Sequence, residues 1–277
     1  MKTAMTSDTI PLRRRHAVFK IALILFSAAL IIGWFWLTPP GVLGKADAVG
    51  YAVCHRIPLR SFFLGDRALP LCARCSGMYL GALAGIAYYL RYPRRSGMPA
   101  RPILVVLALF LVAFGIDGAN SYLRFFPQFP ALYQPENWLR LLTGTGVGLG
   151  MAAVLVPVVR QSLLTESDPR PALNSWRQLL VYISAGLLMD AALLTENPLL
   201  LYPLALLSSV TILIILGLVY SVLWAMITRK ENRYPTLRSA WVLLLGGFTT
   251  AMLQIAAMDG LRFLLTGTWQ GFNLPVG

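Results

Sequence analysis

The chain holds three cysteines, all between positions 54 and 75, and one of its two histidines directly follows the first. The pattern is Cys54-His55, then Cys72-Ala73-Arg74-Cys75. Three sulfurs and one imidazole form a complete donor set for a tetrahedral ion, zinc above all, and Cys-x-x-Cys is a recurrent half of such sites. Cys72 and Cys75 share one face if a helix begins there, and Pro70 suits a first helical turn. The helix N-terminus and the nearby Arg56, Arg60, Arg67 and Arg74 would favour thiolates. Neighbouring side chains on a regular strand point apart, so Cys54 and His55 both ligate only if the backbone turns there. Otherwise three ligands leave an open fourth position, as catalytic zinc sites do.

The same residues admit a second chemistry. A Cys-x-x-Cys at a helix start is the thiol–disulfide exchange arrangement, with Cys72 the more exposed and activated sulfur and Cys54 the relay thiol. The bland alternative is a structural disulfide with one spare thiol. An odd count confined to one segment argues against a disulfide-stapled scaffold. The metal reading leads, with a structural or catalytic role for the ion and a lipidic or anionic substrate. A transporter or an accessory subunit of a membrane complex is a third class. For hydrolases the sequence offers no Gly-x-Ser-x-Gly, no His-Glu-x-x-His and no phosphate loop.

Charged residues elsewhere extend the candidate site. Arg56, Arg60 and Arg74 beside the cysteines could bind an anion, such as a lipid phosphate or a carboxylate. Asp117, Asn120, Arg140, Asp190, Asp259 and Arg262 fall within or at the ends of apolar runs, where ionisable groups are costly and usually face an interior or pair. A polar vestibule follows, with Asp117 or Asp259 paired to Arg140, and Asp117 and Arg140 as the catalytic candidates. The competing interpretation is interfacial charges that snorkel.

The elements that must position these groups are membrane helices. Of 277 residues 57% are hydrophobic and 13% charged, about half the charge of a soluble domain. Apolar runs at Val18–Leu37, Cys72–Leu90, Pro102–Tyr122, Leu141–Val159, Leu179–Thr195, Leu199–Ile227 and Trp241–Met258 are each long enough to cross a bilayer. The expected fold is an all-α polytopic bundle of seven spans, one integral membrane domain over 1–277. Residues 1–17 form a basic cytoplasmic tail, and 38–71 an extracytoplasmic loop that leads the cysteines into the second span. Sixteen of the 24 basic residues fall in the tail and in alternate connections, which places the N-terminus inside, the C-terminus and the cysteines outside. Trp34 and Trp36 would then anchor the outer end of the first span. The first run is read as a retained anchor; a signal peptide cleaved near Ala46 and Ala48 is the competing interpretation.

The net charge of +13 sits in clumps between apolar runs, with no basic stripe interleaved with aromatics. It therefore speaks for the lipid bilayer as partner and against nucleic acid. Gly77, Gly81 and Gly85 in the second span, and Gly144, Gly146, Gly148 and Gly150 in the fourth, make small-residue faces for close helix contact. Such faces serve packing within the bundle, or a membrane-protein partner or second copy. Leu139–Thr145 faintly echoes Leu261–Thr268, and Asp117-Gly118 echoes Asp259-Gly260, a similarity that coincidence explains equally well.

The stretch Cys54-His55…Pro58…Arg60-Ser61-Phe62…Gly65…Pro70…Cys72-Ala73-Arg74-Cys75-Ser76-Gly77…Tyr79…Gly81 resembles an uncharacterised family of prokaryotic predicted membrane proteins, classed as a domain of unknown function. The family pattern continues with an Asp-Gly and an Asn-x-x-Arg-x-x-Thr-Gly, which look like Asp117-Gly118 and Asn137, Arg140, Thr143 and Gly144. The resemblance covers about residues 45–150, by motif spacing. The family often has Gln after Cys-His where this chain has Arg56, a difference that leaves the ligand set intact. It implies a site and a membrane location, and no particular activity.

Overall fold

A computed structural model describes residues 9–123 and 132–271, with the side chains of 9–16 left aside. The N-terminal Lys2, and the side chains of Arg13, Arg14, Arg15 and His16, thus lie outside the described residues. Among the described residues eight α-helices carry the fold: α1 (Thr9–Leu37), α2 (Val42–Val53), α3 (Ala73–Tyr89), α4 (Arg101–Leu123), α5 (Asn137–Leu163), α6 (Trp176–Leu194), α7 (Pro198–Ile227) and α8 (Trp241–Thr266). Apolar runs this long fold as helices in lipid because only a helix or a closed barrel satisfies every backbone N–H and C=O there.

Of these helices six are, among the described residues, long and apolar enough to cross a membrane. The remaining expected span, α3, has 17 residues, the short end of the spanning range. The protein is therefore an all-α polytopic bundle, its apolar runs each falling on one helix, with α1 and α8 extending well beyond their runs. The expected loop 38–71 is not simply a loop. It contains α2, which packs on α7 and α8, with the alanines at 46 and 48 buried inside it. The basic tail, too, is already helical from Thr9.

The glycine faces do what close packing asks of them. A Cβ at Gly77 would strike the Leu141 carbonyl and one at Gly81 the Thr145 backbone. Reciprocally, a Cβ at Gly144 would strike the Arg74 carbonyl and one at Gly148 that of Met78. Gly77 and Gly81 of α3 are thus engaged with α5 and Gly144 and Gly148 of α5 with α3 inside one chain, while Gly146 faces Phe110, and the two helices run parallel with their N-termini side by side. At the far end, the connection after α3 forms β3 (Arg95–Gly97), which pairs in parallel with β4 (Asp168–Pro171) after α5. Leu164 bridges to Tyr234 in the connection after α7. One end of the bundle therefore gathers three basic connections, and the other gathers the cysteines.

Candidate metal centre

The sulfurs of Cys54, Cys72 and Cys75 lie within 4.8 Å of one another, a limit compatible with the roughly 3.8 Å between sulfurs on a tetrahedral ion with Zn–S of about 2.3 Å. Three pieces of local structure bring them there. Cys54 is the C-cap of α2, and its N–H closes that helix on Gly50 O at 2.8 Å. Cys72 is the N-cap of α3, which puts Cys75 one turn inside. Pro70 stands just outside the helix rather than in its first turn. Between the two ends the chain folds back through a short hairpin, β1 (Phe63–Leu64) against β2 (Arg67–Ala68), turned by Gly65 at φ 61°.

Gly50 is the residue that allows the two ends to meet. A Cβ there would overlap the Pro70 carbonyl, so α2 comes down on the Pro70–Leu71 segment only because position 50 has no side chain. The sequence signal was a glycine one helical turn before Cys54. The C-terminus of α2 is then tied down from α8: Arg262 donates to the carbonyls of Tyr51 and Cys54, both at 2.6 Å. These are helix-end carbonyls with no partner of their own, and a cation at that end also meets the negative pole of the helix. Arg262 stacks its guanidinium 3.9 Å over the Tyr51 ring.

Electrostatics single out one sulfur. Two backbone N–H groups, of Arg56 at 3.4 Å and Cys72 at 3.5 Å, point at Cys54 Sγ. Hydrogen bonds from the Cys72 and then the Cys75 thiol pull Cys54 well below the ordinary thiol range, overcoming its burial. Cys72 is pushed up to about 12, chiefly because it holds its proton toward Cys54. The activated sulfur is thus Cys54, not the expected Cys72, which is buried rather than exposed. Around the trio lies an apolar shell that includes Trp34, Leu71, Ile212, Met252 and Ile255.

His55 is not in this set. Its neighbour Cys54 has an extended backbone, φ −130° and ψ 142°, and adjacent side chains on extended backbone diverge. The left-handed turn comes only at Arg56, φ 50°, one residue too late to bring the ring round. The imidazole is exposed; its pKa is lowered, first by desolvation and further by Arg60, Arg74 and Arg262, with Cys54 opposing.

The charged candidates have different partners from those expected. Arg56 pairs with Asp47 at 2.8 Å, and Arg67 joins the same carboxylate. Asp117 pairs with Arg74, not Arg140, and also accepts from Tyr133 Oη at 2.9 Å. Asp259 accepts from Trp34 Nε1 at 2.9 Å, so Trp34 is a buried link between α1 and α8 while Trp36 is exposed. Asp190, deep in the bundle, accepts from Thr145 at 2.6 Å. Arg60 donates to Ser121 O at 3.2 Å, and Arg140 to Asn137 Oδ1 at 2.9 Å. Asp47, Gly50 and Trp269, whose carbonyl accepts from Arg56 at 3.3 Å, are site-shaping residues that the motif alone did not mark.

An all-helical bundle with several apolar crossings and a buried thiol cluster at one end is a multi-pass membrane protein. The chain belongs to the family described as "Predicted membrane protein (DUF2085)", whose model matches residues 54–154. It is 35% identical over 112 residues to an uncharacterized protein of Methanothermobacter thermautotrophicus, a match covering 40% of this chain and 91% of that one. A second uncharacterized protein, from Methanocaldococcus jannaschii, is 30% identical over 111 residues, 40% of this chain and 66% of the relative. No solved structure matches the chain. The family match starts on Cys54 and ends within α5, so it contains the three cysteines, Arg74, Asp117 and Arg140. Gly50 and Arg262, which set the position of Cys54, lie outside it.

Proposed function

We propose that Cys54, Cys72 and Cys75 are the protein ligands of a structural metal centre, with zinc the ion their chemistry fits, that pins α2 to the start of α3. The observation that carries this reading is the convergence of a third sulfur, held by two backbone N–H groups, on a Cys-x-x-Cys at a helix start. A disulfide would consume two of the three sulfurs and leave the last buried without a role, whereas a soft dication uses all three as thiolates. Burial of Cys54 and Cys72 also counts against exchange with a protein partner, which needs an accessible thiolate. The fourth position belongs to a ligand outside the cysteine set, water or an inward-turned His55.

The extracytoplasmic placement is supported by charge. The connections at the opposite end carry Arg91, Arg94, Arg95, Arg170, Arg229, Lys230 and Arg233, the bias that marks a cytoplasmic face.

Metal analysis of the purified full chain, paired with thiol titration, tests the reading. About one zinc per chain is expected, with all three thiols protected until a chelator is added. Cys72→Ser should lose the ion, and His55→Ala should keep its stoichiometry with affinity reduced by about tenfold or less. Metal-free protein with oxidised cysteines would overturn it.

A further inference from the structure

Beside the cysteines, and separate from them, the parallel N-termini of α3 and α5 meet at a corner that is overloaded with positive charge. Arg74 stands in the first turn of α3 and Arg140 in the first turn of α5. A cation there opposes the positive pole of its own helix. Arg60 reaches the same corner from the preceding loop: it donates to the Ser121 carbonyl while Arg74 donates to the Ser121 hydroxyl at 3.1 Å. Asn137, the acceptor for Arg140, reaches toward Leu59 O next to Arg60, at 3.5 Å. Three guanidiniums thus surround one carboxylate, Asp117, which Arg74 already engages. The remaining nearby acid, Glu136, is turned to Trp138 Nε1 at 2.9 Å.

Arg140 is the telling member. It is only 7% exposed, yet it makes a single side-chain hydrogen bond, to a neutral amide on its own helix, and has no carboxylate partner among the described residues. Its Nε is buried without a partner, as are those of Arg74 and Arg160; what sets Arg140 apart is that, among the described residues, its terminal nitrogens meet nothing but that one amide. Arg60 and Arg74 repel it and Asp117 attracts it. A buried guanidinium is expensive unless its donors and charge are matched.

We infer that this corner is an oxyanion site, built for a phosphate group, in which Arg140 and Arg74 are the principal ligands and Asn137 orients Arg140. Among the described residues Arg74 and Arg140 share one carboxylate at this corner, an excess of positive charge that suits an oxyanion, and planar guanidinium forks suit phosphate oxygens. Two helix N-termini add N–H dipoles of the same sense. The phosphate belongs either to a soluble ester or to a lipid headgroup, since the corner lies at the end of three membrane helices.

The test uses full-length protein in phosphate-free detergent, with thermal unfolding followed at constant ionic strength. Inorganic phosphate, but not chloride, should raise the midpoint by several degrees. Arg140→Gln should weaken apparent phosphate affinity by about tenfold or more while leaving zinc content unchanged. Arg140→Lys keeps the charge without the fork and gives the same reading if the glutamine variant fails to fold. A short-chain phosphatidate effective at lower concentration than phosphate assigns the site to lipid; equal or weaker action assigns it to a soluble ester. If neither phosphate nor phosphatidate shifts the wild-type midpoint beyond chloride, or the Arg140 variants respond as wild type does, the inference fails. Because zinc is read in the same samples, that failure is distinct from failure of the metal centre.

Discussion

Helix α5 carries a buried arginine near each of its ends, and the two are handled in opposite ways. Arg160, 3% exposed, donates to Tyr92 O and Arg95 O at 2.7 Å and to Tyr89 O at 2.9 Å. Those carbonyls belong to the last turn of α3 and the connection after it; those of Tyr89 and Tyr92 already accept backbone N–H groups, so Arg160 adds a second donor there and meets the negative pole of the helix. Arg140, at the other end of the same helix, lies at the starts of α3 and α5, and the Ser121 carbonyl at the nearby end of α4 accepts from Arg60 rather than from Arg140. Both arginines leave a buried Nε without a partner, but the terminal nitrogens of Arg160 meet three carbonyls while Arg140 has one neutral amide. Burial of a charge therefore does not by itself say whether the residue is structural. The acceptors around it do.

The largest effects should come from breaking that contrast directly. Arg160→Met strips donors from three carbonyls and should cost about 3 kcal/mol or more. Arg140→Met removes a charge with one hydrogen bond and, without phosphate, should change stability by less than about 1 kcal/mol or increase it. Denaturant unfolding of matched detergent preparations compares the two, and equal losses would erase the distinction.

Arg262 extends the comparison to the cysteine end, where it plays for α2 the part Arg160 plays for α3. Arg262→Met frees the Tyr51 and Cys54 carbonyls, so zinc affinity should fall by about ten- to a hundredfold, as loss of a supporting contact does. Competition with a chromophoric chelator measures it. An unchanged affinity would mean that Gly50 alone sets the position of Cys54. The smallest effect sharpens the view of Arg140: Asn137→Ala removes its one acceptor and should cost under about 1 kcal/mol. The same variant should weaken phosphate by only a few-fold, since Asn137 orients rather than binds; a loss as large as that of Arg140→Gln would make it a ligand.

Much of this was legible without coordinates. Each long apolar run of the sequence is a helix, because in a bilayer a continuous apolar run of that length satisfies its own backbone groups as a helix. The glycine spacing of α3 and α5 marked each as a close-packing face, since backbones approach closely only where side chains are absent; that the two faces meet each other came from the structure. Cys54, Cys72 and Cys75 declared themselves by type and spacing.

What spacing could not say was which neighbours would close on them. His55 stands next to Cys54 in the chain, yet extended backbone turns it outward, while Arg262, 208 positions from Cys54, holds the carbonyl of that cysteine. Asp117 and Arg140 looked like a pair and are not, because the α3–α5 contact through Gly77 and Gly144 delivers Arg74 to the carboxylate first. Residue type and period reflect forces local to a helix, so the sequence by itself determined the spans and the thiol set. Which acceptor or anion meets each buried charge depends on how helix ends far apart in the chain are brought together, and only the tertiary structure decides that.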